Sequence, residues 1–280
     1  MIVHAEPVMG TVVSFHIEPG ECPAVEARAA VASACARLHE LDDIFSTWKP
    51  WSPISRFRSG LLRLEDAPPE MSLVLELCEE ARALSQGRFD PWAMPGGFDP
   101  TGLVKGWATE QAVAILRLAR VEAAIVNGGG DIAVLGLPRD AHAWRIGVRH
   151  PWRPEALACV LETDRAVATS GCYERGPHLI NPTDGRMLFR TASATVVGSS
   201  LPLCDALATG LVVADDDGPE IARSLKGYEA YIIGADGKED ATEGIVFATE
   251  GAWKTGSRPG PICDHWPGAR SQSPAVNRPQ

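Results

Sequence analysis

The chain has 280 residues, 45% of them hydrophobic, enough to bury a core in one large domain or two small ones. A formal charge of −10 and an isoelectric point near 5.2 exclude the broad basic surface that generic nucleic-acid binding requires. No apolar run approaches the ~20 residues of a membrane helix.

The N-terminal MIVHAEPVMGT has no basic start followed by an apolar stretch. No secretory signal is read there, which leaves a cytoplasmic protein as the expectation, or a chain already trimmed of a leader. Residues 8–17 alternate and are rich in Val, Thr, Phe and Ile, so one strand is predicted. Residues 23–43 carry apolar side chains at helical spacing, among them Val25, Ala29, Ala32, Leu38 and Leu41. Residues 46–60 hold two tryptophans, two prolines and several serines, and read as a loop. A second helix is predicted over 70–86, ended by Gly87, and a third over 104–118. AAIVNGG from Ala123, WRIGVRHP from Trp144, ACVLETDRAVATS from Ala158 and TASATVVGSS from Thr191 read as strands. Helices follow over 202–214 and 218–225, then a strand and turn in YEAYIIGADG from Tyr228. Helices and strands mix without regular βαβ alternation, so the expected fold is α+β, with mostly antiparallel sheets and packed helices. Residues 253–280 are rich in Gly, Pro, Ser and Arg without periodicity and read as a disordered tail after a domain over 1–252.

Seven cysteines stand at positions 22, 35, 78, 159, 172, 204 and 263 with no C-x-x-C pair. They are expected to be reduced thiols packed in the core, and their spacing carries no zinc motif.

Two segments carry most of the chemistry. In SLPLCDALATG, from Ser200, Asp205 and Thr209 stand four apart on one predicted helix, so their oxygens share a face. A carboxylate and a hydroxyl there suit a hard cation such as Mg²⁺, although helix capping and back-bonding explain the same residue types. In ATSGCYERGPHLINPTDGR, from Ala168, His178 sits in a Gly-, Pro- and Asn-rich loop. Such loops often present functional side chains, and just as often a surface histidine. Upstream, DPTGLVKGWATE makes a turn at Asp99 feeding a helix whose first turn holds Lys105, an arrangement that favours anions or is simply a solvated lysine. The NGGGD cluster, Asn127 to Asp131, lets a backbone approach a ligand or makes a tight turn, with Asp131 read as capping or bracing that turn.

These blocks, with MGTVVSFHI from Met9, FSTWKPWSPISRF from Phe45 and RFDP from Arg88, resemble the ApbE family of Mg²⁺-dependent FAD:protein FMN transferases, in the family's order across residues 8–250. The resemblance implies an ApbE-like (T-fold-like) α+β architecture. It implies Mg²⁺ held by Asp205, Thr209 and the Gly102 carbonyl, the first two standing in an intact D-A-x-x-T motif. It implies FAD contacts from Met9, Trp48, Phe89, Asp90, Asp99, Lys105, Ser170 and His178, with His178, Lys105 and Asp205 in catalytic roles. FAD would be the substrate. The partner would be an acceptor flavoprotein modified on a threonine, with AMP released. A hydrolase giving FMN and AMP, or a non-catalytic FAD-binding protein, would use the same residues. Departures from the family pattern are Thr101 in the D-x-[GS] position, Asn181 where Asp is usual, Pro53 for a glutamate, and only PWAMPGGF between Asp90 and Asp99 in place of a long insert.

Overall fold

In a computed structural model, residues 1–171, 181, 182, 185 and 193–248 are described. His178, Cys172, Cys263 and the 253–280 segment lie outside them. The predicted strand over 8–17 is β2 (Thr11–Glu18), and before it lies a strand not predicted from the sequence, β1 (Ile2–Val8). Between them Met9 and Gly10 make a two-residue turn with φ of 54° and 67°. Two positive φ angles in a two-residue hairpin loop give the twist that antiparallel strands accept, and they fix the register Val8↔Thr11. Met9 is therefore a turn residue, half-buried against the core.

The helices α1 (Ala24–Phe45), α3 (Pro69–Leu84), α4 (Thr101–Leu118), α5 (Leu201–Ala214) and α6 (Gly218–Ser224) lie close to their predicted positions. The loop predicted over 46–60 contains a short helix, α2 (Pro53–Arg58), started by Ser52, whose hydroxyl accepts from Ser55 N at 3.1 Å. The remaining strands are β3 (Ala123–Gly128), β4 (Asp131–Leu135), β5 (Trp144–His150), β6 (Arg153–Thr163), β7 (Ala166–Gly171), β8 (Ser193–Gly198), β9 (Glu229–Ile233) and β10 (Glu239–Ala241). The run ACVLETDRAVATS, predicted as one strand, is divided between β6 and β7, which belong to different sheets.

Eight strands form one sheet in the order β1-β2-β3-β4-β7-β8-β9-β10, and β5 and β6 form a separate ribbon, every pairing being antiparallel. Period-2 alternation sorts the side chains of the central strands into two cores. Ala166, Ala168, Val196, Ala230 and Ile232 face the helices. Val167, Val197, Tyr231 and Ile233 pack on Ile146, Val148 and Leu161 of the ribbon. The mixed, mostly antiparallel α+β fold expected from the sequence is the one observed. Residues Met1–Ala248 form one compact unit, and no helix among the described residues is long and apolar enough to cross a membrane.

Helix α5 is the central helix: 13 of its 14 residues are buried, and Thr209 is the half-buried exception. It crosses α4 at Gly106, where an added Cβ would stand 2.9 Å from the Leu201 carbonyl oxygen and 3.2 Å from Asp205 Cβ. Gly106→Ala must therefore push two helices apart at backbone level. Overpacking of this kind costs about 1–3 kcal/mol, so a urea unfolding midpoint clearly below wild type is expected.

Candidate active site

The close approach of α4 and α5 brings charge into a largely buried space. Lys105, in the second turn of α4, contacts the Asp131 carboxylate through Nζ and lies 4.0 Å from Asp205 Oδ2. Asp131 is 1% exposed and Asp205 5%. Carboxylates this deep need a compensating partner, and Lys105 is the cation between them. Gly106 N also donates to Asp205 Oδ2, at 3.3 Å. In a regular helix that N–H points toward the carbonyl four residues back, which here belongs to Gly102. One turn on from Asp205, Thr209 Oγ1 shares a hydrogen bond of 3.0 Å with Ser170 Oγ, at the end of β7.

The β3–β4 hairpin supplies Asp131. Its turn is Gly129–Gly130, both at positive φ, and Gly130 N donates to Asn127 Oδ1 at 2.7 Å. Asn127, not Asp131, braces this turn; Asp131 instead faces inward to Lys105. Thr109 closes the back of the cluster by donating to the Lys105 carbonyl at 2.8 Å and by packing on Gly128.

The sequence-predicted residues divide into two groups. Lys105, Asp205, Thr209 and Ser170 come together, with Gly102 on the same helix as Lys105. The others take up local roles. Phe89, 6% exposed, is wedged between Gly102 of α4 and Gly210 of α5. Asp90 accepts from Trp92 N at 2.9 Å and from Arg82 Nε at 3.0 Å. Asp99 accepts from Arg58 Nη1 at 2.6 Å and from Thr101 N at 3.1 Å. Arg58 Nη2 also donates to the Pro95 carbonyl at 2.7 Å, so it closes the short 90–99 segment. Trp48 stands 93% exposed between α1 and α2. Sequence reasoning missed the pairing of Asp131 with Lys105 and of Arg58 with Asp99; each joins residues far apart in the chain, with no local pattern to announce it.

Glu110 adds a titrating group beside the cluster. It accepts from Leu201 N at 3.2 Å and so caps α5, which Ser200 does not cap with its own side chain. Burial pushes its carboxyl above the ordinary value, against a smaller pull from the Leu201 N–H. The folded state then holds this proton more tightly than the unfolded one. Stability falls as pH rises from the ordinary carboxylate range through the raised value. Glu110→Gln keeps an acceptor and removes the titration, so its stability should change less with pH across that window in denaturant unfolding. Cys204 is fully buried, and burial pushes its thiol up, as befits a packing residue.

The donors around Lys105 are oxygens: two buried carboxylates, two hydroxyls and nearby backbone carbonyls. Such a set fits a hard cation such as Mg²⁺.

A sequence profile of the ApbE family matches residues 9–97 and 95–232. The chain is 35% identical over 130 residues to an FAD:protein FMN transferase of Vibrio cholerae, covering 42% of this chain and 39% of that protein. It is 34% identical over 155 residues to one of Rhodobacter capsulatus, covering 52% and 28%. The matches thus span well under half the length of these relatives. Among solved structures, the flavin transferase ApbE from Vibrio cholerae superposes with a TM-score of 0.73 at 23% identity, over 86% of this chain and 97% of that one. The ApbE protein of Thermotoga maritima gives 0.76 at 21% identity over the same shares. These likenesses establish the fold.

Proposed function

The chain belongs to the ApbE family, and from that premise we propose that it transfers the FMN half of FAD to a threonine hydroxyl of an acceptor protein, with release of AMP. The observation that carries this reading is the convergence of Lys105, Asp131, Asp205, Thr209 and Ser170 where α4 meets α5. The relatives named FAD:protein FMN transferase support it.

The reaction forms a bond between the threonine oxygen and the FMN phosphorus, and breaks the bond from that phosphorus to the bridging pyrophosphate oxygen. The bridging oxygen leaves with AMP, and the threonine gives up its proton. Asp205, Thr209 and the Gly102 carbonyl would hold Mg²⁺, which when bound supplies positive charge to the pyrophosphate. Lys105 adds a second positive charge where the leaving phosphate develops its own. Its contact with Asp131 fixes the ammonium in place. With Thr209 donating its hydrogen bond to Ser170, its oxygen lone pairs would be left for the cation, and the Ser170 hydroxyl would be left to donate to a phosphate oxygen. The Gly106 N–H sets the Asp205 carboxylate orientation. His178 is assigned to accept the threonine proton or to contact phosphate. Trp48, with its ring open to solvent, is assigned to stack on the isoalloxazine, which would bury an otherwise exposed aromatic face. Met9, Phe89, Asp90 and Asp99 are assigned to the wall of the flavin pocket. The Arg58–Asp99 pair would stiffen that wall in place of the missing insert.

Incubation of the chain with FAD and an acceptor domain carrying a D-G-A-T-like threonine, in Mg²⁺ or in EDTA, tests the reaction by chromatography. AMP should appear in Mg²⁺ alone. FAD unchanged in both, or AMP at equal rates in both, would contradict the proposal.

A further inference from the structure

Away from the α4–α5 site, the edge strand β1 meets α1 through an unusual set of side chains. The inward face of β1 reads Ile2, His4, Glu6 and Val8, so two polar residues interrupt an apolar row. Opposite them, Cys35 and His39 stand four apart on one face of α1. His4 Nε2 lies 3.0 Å from Glu6 Oε2, and His39 Nε2 lies 2.8 Å from Glu6 Oε1. The ligand atoms of His4, Glu6 and Cys35 all lie within 4.8 Å of one another, and His39 lies outside that group, joined to it through Glu6. We propose that His4, Glu6, Cys35 and His39 form a metal site for a borderline-soft divalent ion of the zinc class.

The chemistry of the set differs from that of the α4–α5 site. Two imidazoles, a thiol and a carboxylate are donors that Zn²⁺ takes in tetrahedral geometry, with bonds of roughly 2.0–2.3 Å. Ligand atoms in such a centre stand roughly 3.5 Å apart, which small rotations of His4, Glu6 and Cys35 reach, while the exposed His39 side chain must swing in beside Glu6. The carboxylate now occupies the centre of the set. Hydrogen bonds from His39 and His4 hold its pKa below the ordinary carboxylate range, so it accepts and both Nε2 atoms donate. On binding, each imidazole moves its proton to Nδ1 and presents Nε2 to the ion. The Cys35 thiol, pushed up to about 11 by burial and by Glu6, releases one proton to solvent. His4 and His39 side chains are 41% and 52% exposed, which gives an ion a way in, while Cys35 closes the inner side. Sequence spacing could not show this site, because each half contributes only two residues, H-x-E from a strand and C-x-x-x-H from a helix. The competing account is a hydrogen-bonded tie that also protects an edge strand with inward polar groups. That account predicts no metal binding.

Titrating the reduced, EDTA-stripped full chain with Co²⁺ separates the two. One equivalent should bring up tetrahedral ligand-field bands with a thiolate-to-cobalt charge-transfer band, and Zn²⁺ should displace it while Mg²⁺ does not. Cys35→Ser should remove the charge-transfer band. His39→Ala, on an exposed helix face where folding should survive, should weaken Co²⁺ binding at least by the roughly 10–100-fold seen when even an outer partner of a metal ligand is lost; thermal melts by circular dichroism confirm the fold of each variant. No thiolate band, a band that persists in Cys35→Ser, or unchanged affinity in His39→Ala would overturn the four-ligand site.

Discussion

With FAD and an acceptor domain present, Asp205→Ala is expected to lower Mg²⁺-dependent AMP release by about a thousandfold or more, with the chain still folded. Lewis-acid stabilisation by a bound cation is worth several kcal/mol, and each 1.36 kcal/mol is a factor of ten in rate. The carboxylate it removes is buried on α5 and is shared by Lys105 and the Gly106 N–H of α4. Lys105 keeps Asp131 as its partner in the variant, and the structural loss includes the Gly106 hydrogen bond, about 1–2 kcal/mol. Thr209→Ser, which keeps the hydroxyl, should retain most activity, and Thr209→Ala should lose more than Thr209→Ser at low Mg²⁺. Steady-state AMP release over a Mg²⁺ titration checks this series. Wild-type turnover in Asp205→Ala would remove the metal assignment.

Lys105→Met should harm both activity and stability. It leaves Asp131, 1% exposed, without its cation. Breaking a buried pair from one side costs about 3–5 kcal/mol; the lower end is expected, because Asp131 can take up a proton instead. The second substitution makes the test discriminating. Lys105→Met with Asp131→Asn removes the orphaned charge, so urea unfolding should recover most of the lost stability. Activity should stay absent, since the positive charge beside the pyrophosphate is still missing. If the double variant regained activity along with stability, Lys105 would be a structural residue only.

The sequence made some of this legible and not the rest, for physical reasons. Asp205 and Thr209 were readable because a helix converts a spacing of four into a shared face, and α5 kept that spacing. The long helices α1, α3 and α4 were readable from their apolar periodicity. Strand β1 was not, because His4 and Glu6 occupy its inward positions and Pro7 stands in the strand, which an edge position permits. The division of 158–170 between two sheets was hidden because only Asp164 and Arg165 separate β6 from β7. Asp131 was misread as a turn brace. Its partner lies 26 positions earlier on another element, a contact that only the packing of α4 against the β3–β4 hairpin creates. Asp90 and Asp99 were readable as polar residues near the expected pocket, but their partners, Arg82 and Arg58, were not.

The central claim is flavin transfer to protein, and intact-mass spectrometry of an acceptor domain carrying a D-G-A-T-like threonine tests it most directly. The acceptor would be incubated with the chain and FAD, in Mg²⁺ or EDTA, and the modified residue located by fragmentation. The account predicts one FMN phosphoester on the threonine, an equal amount of AMP, and neither product in EDTA. AMP with free FMN and an unmodified acceptor would instead mark a hydrolase, and FAD bound but unchanged would mark a binding protein; either result contradicts the account.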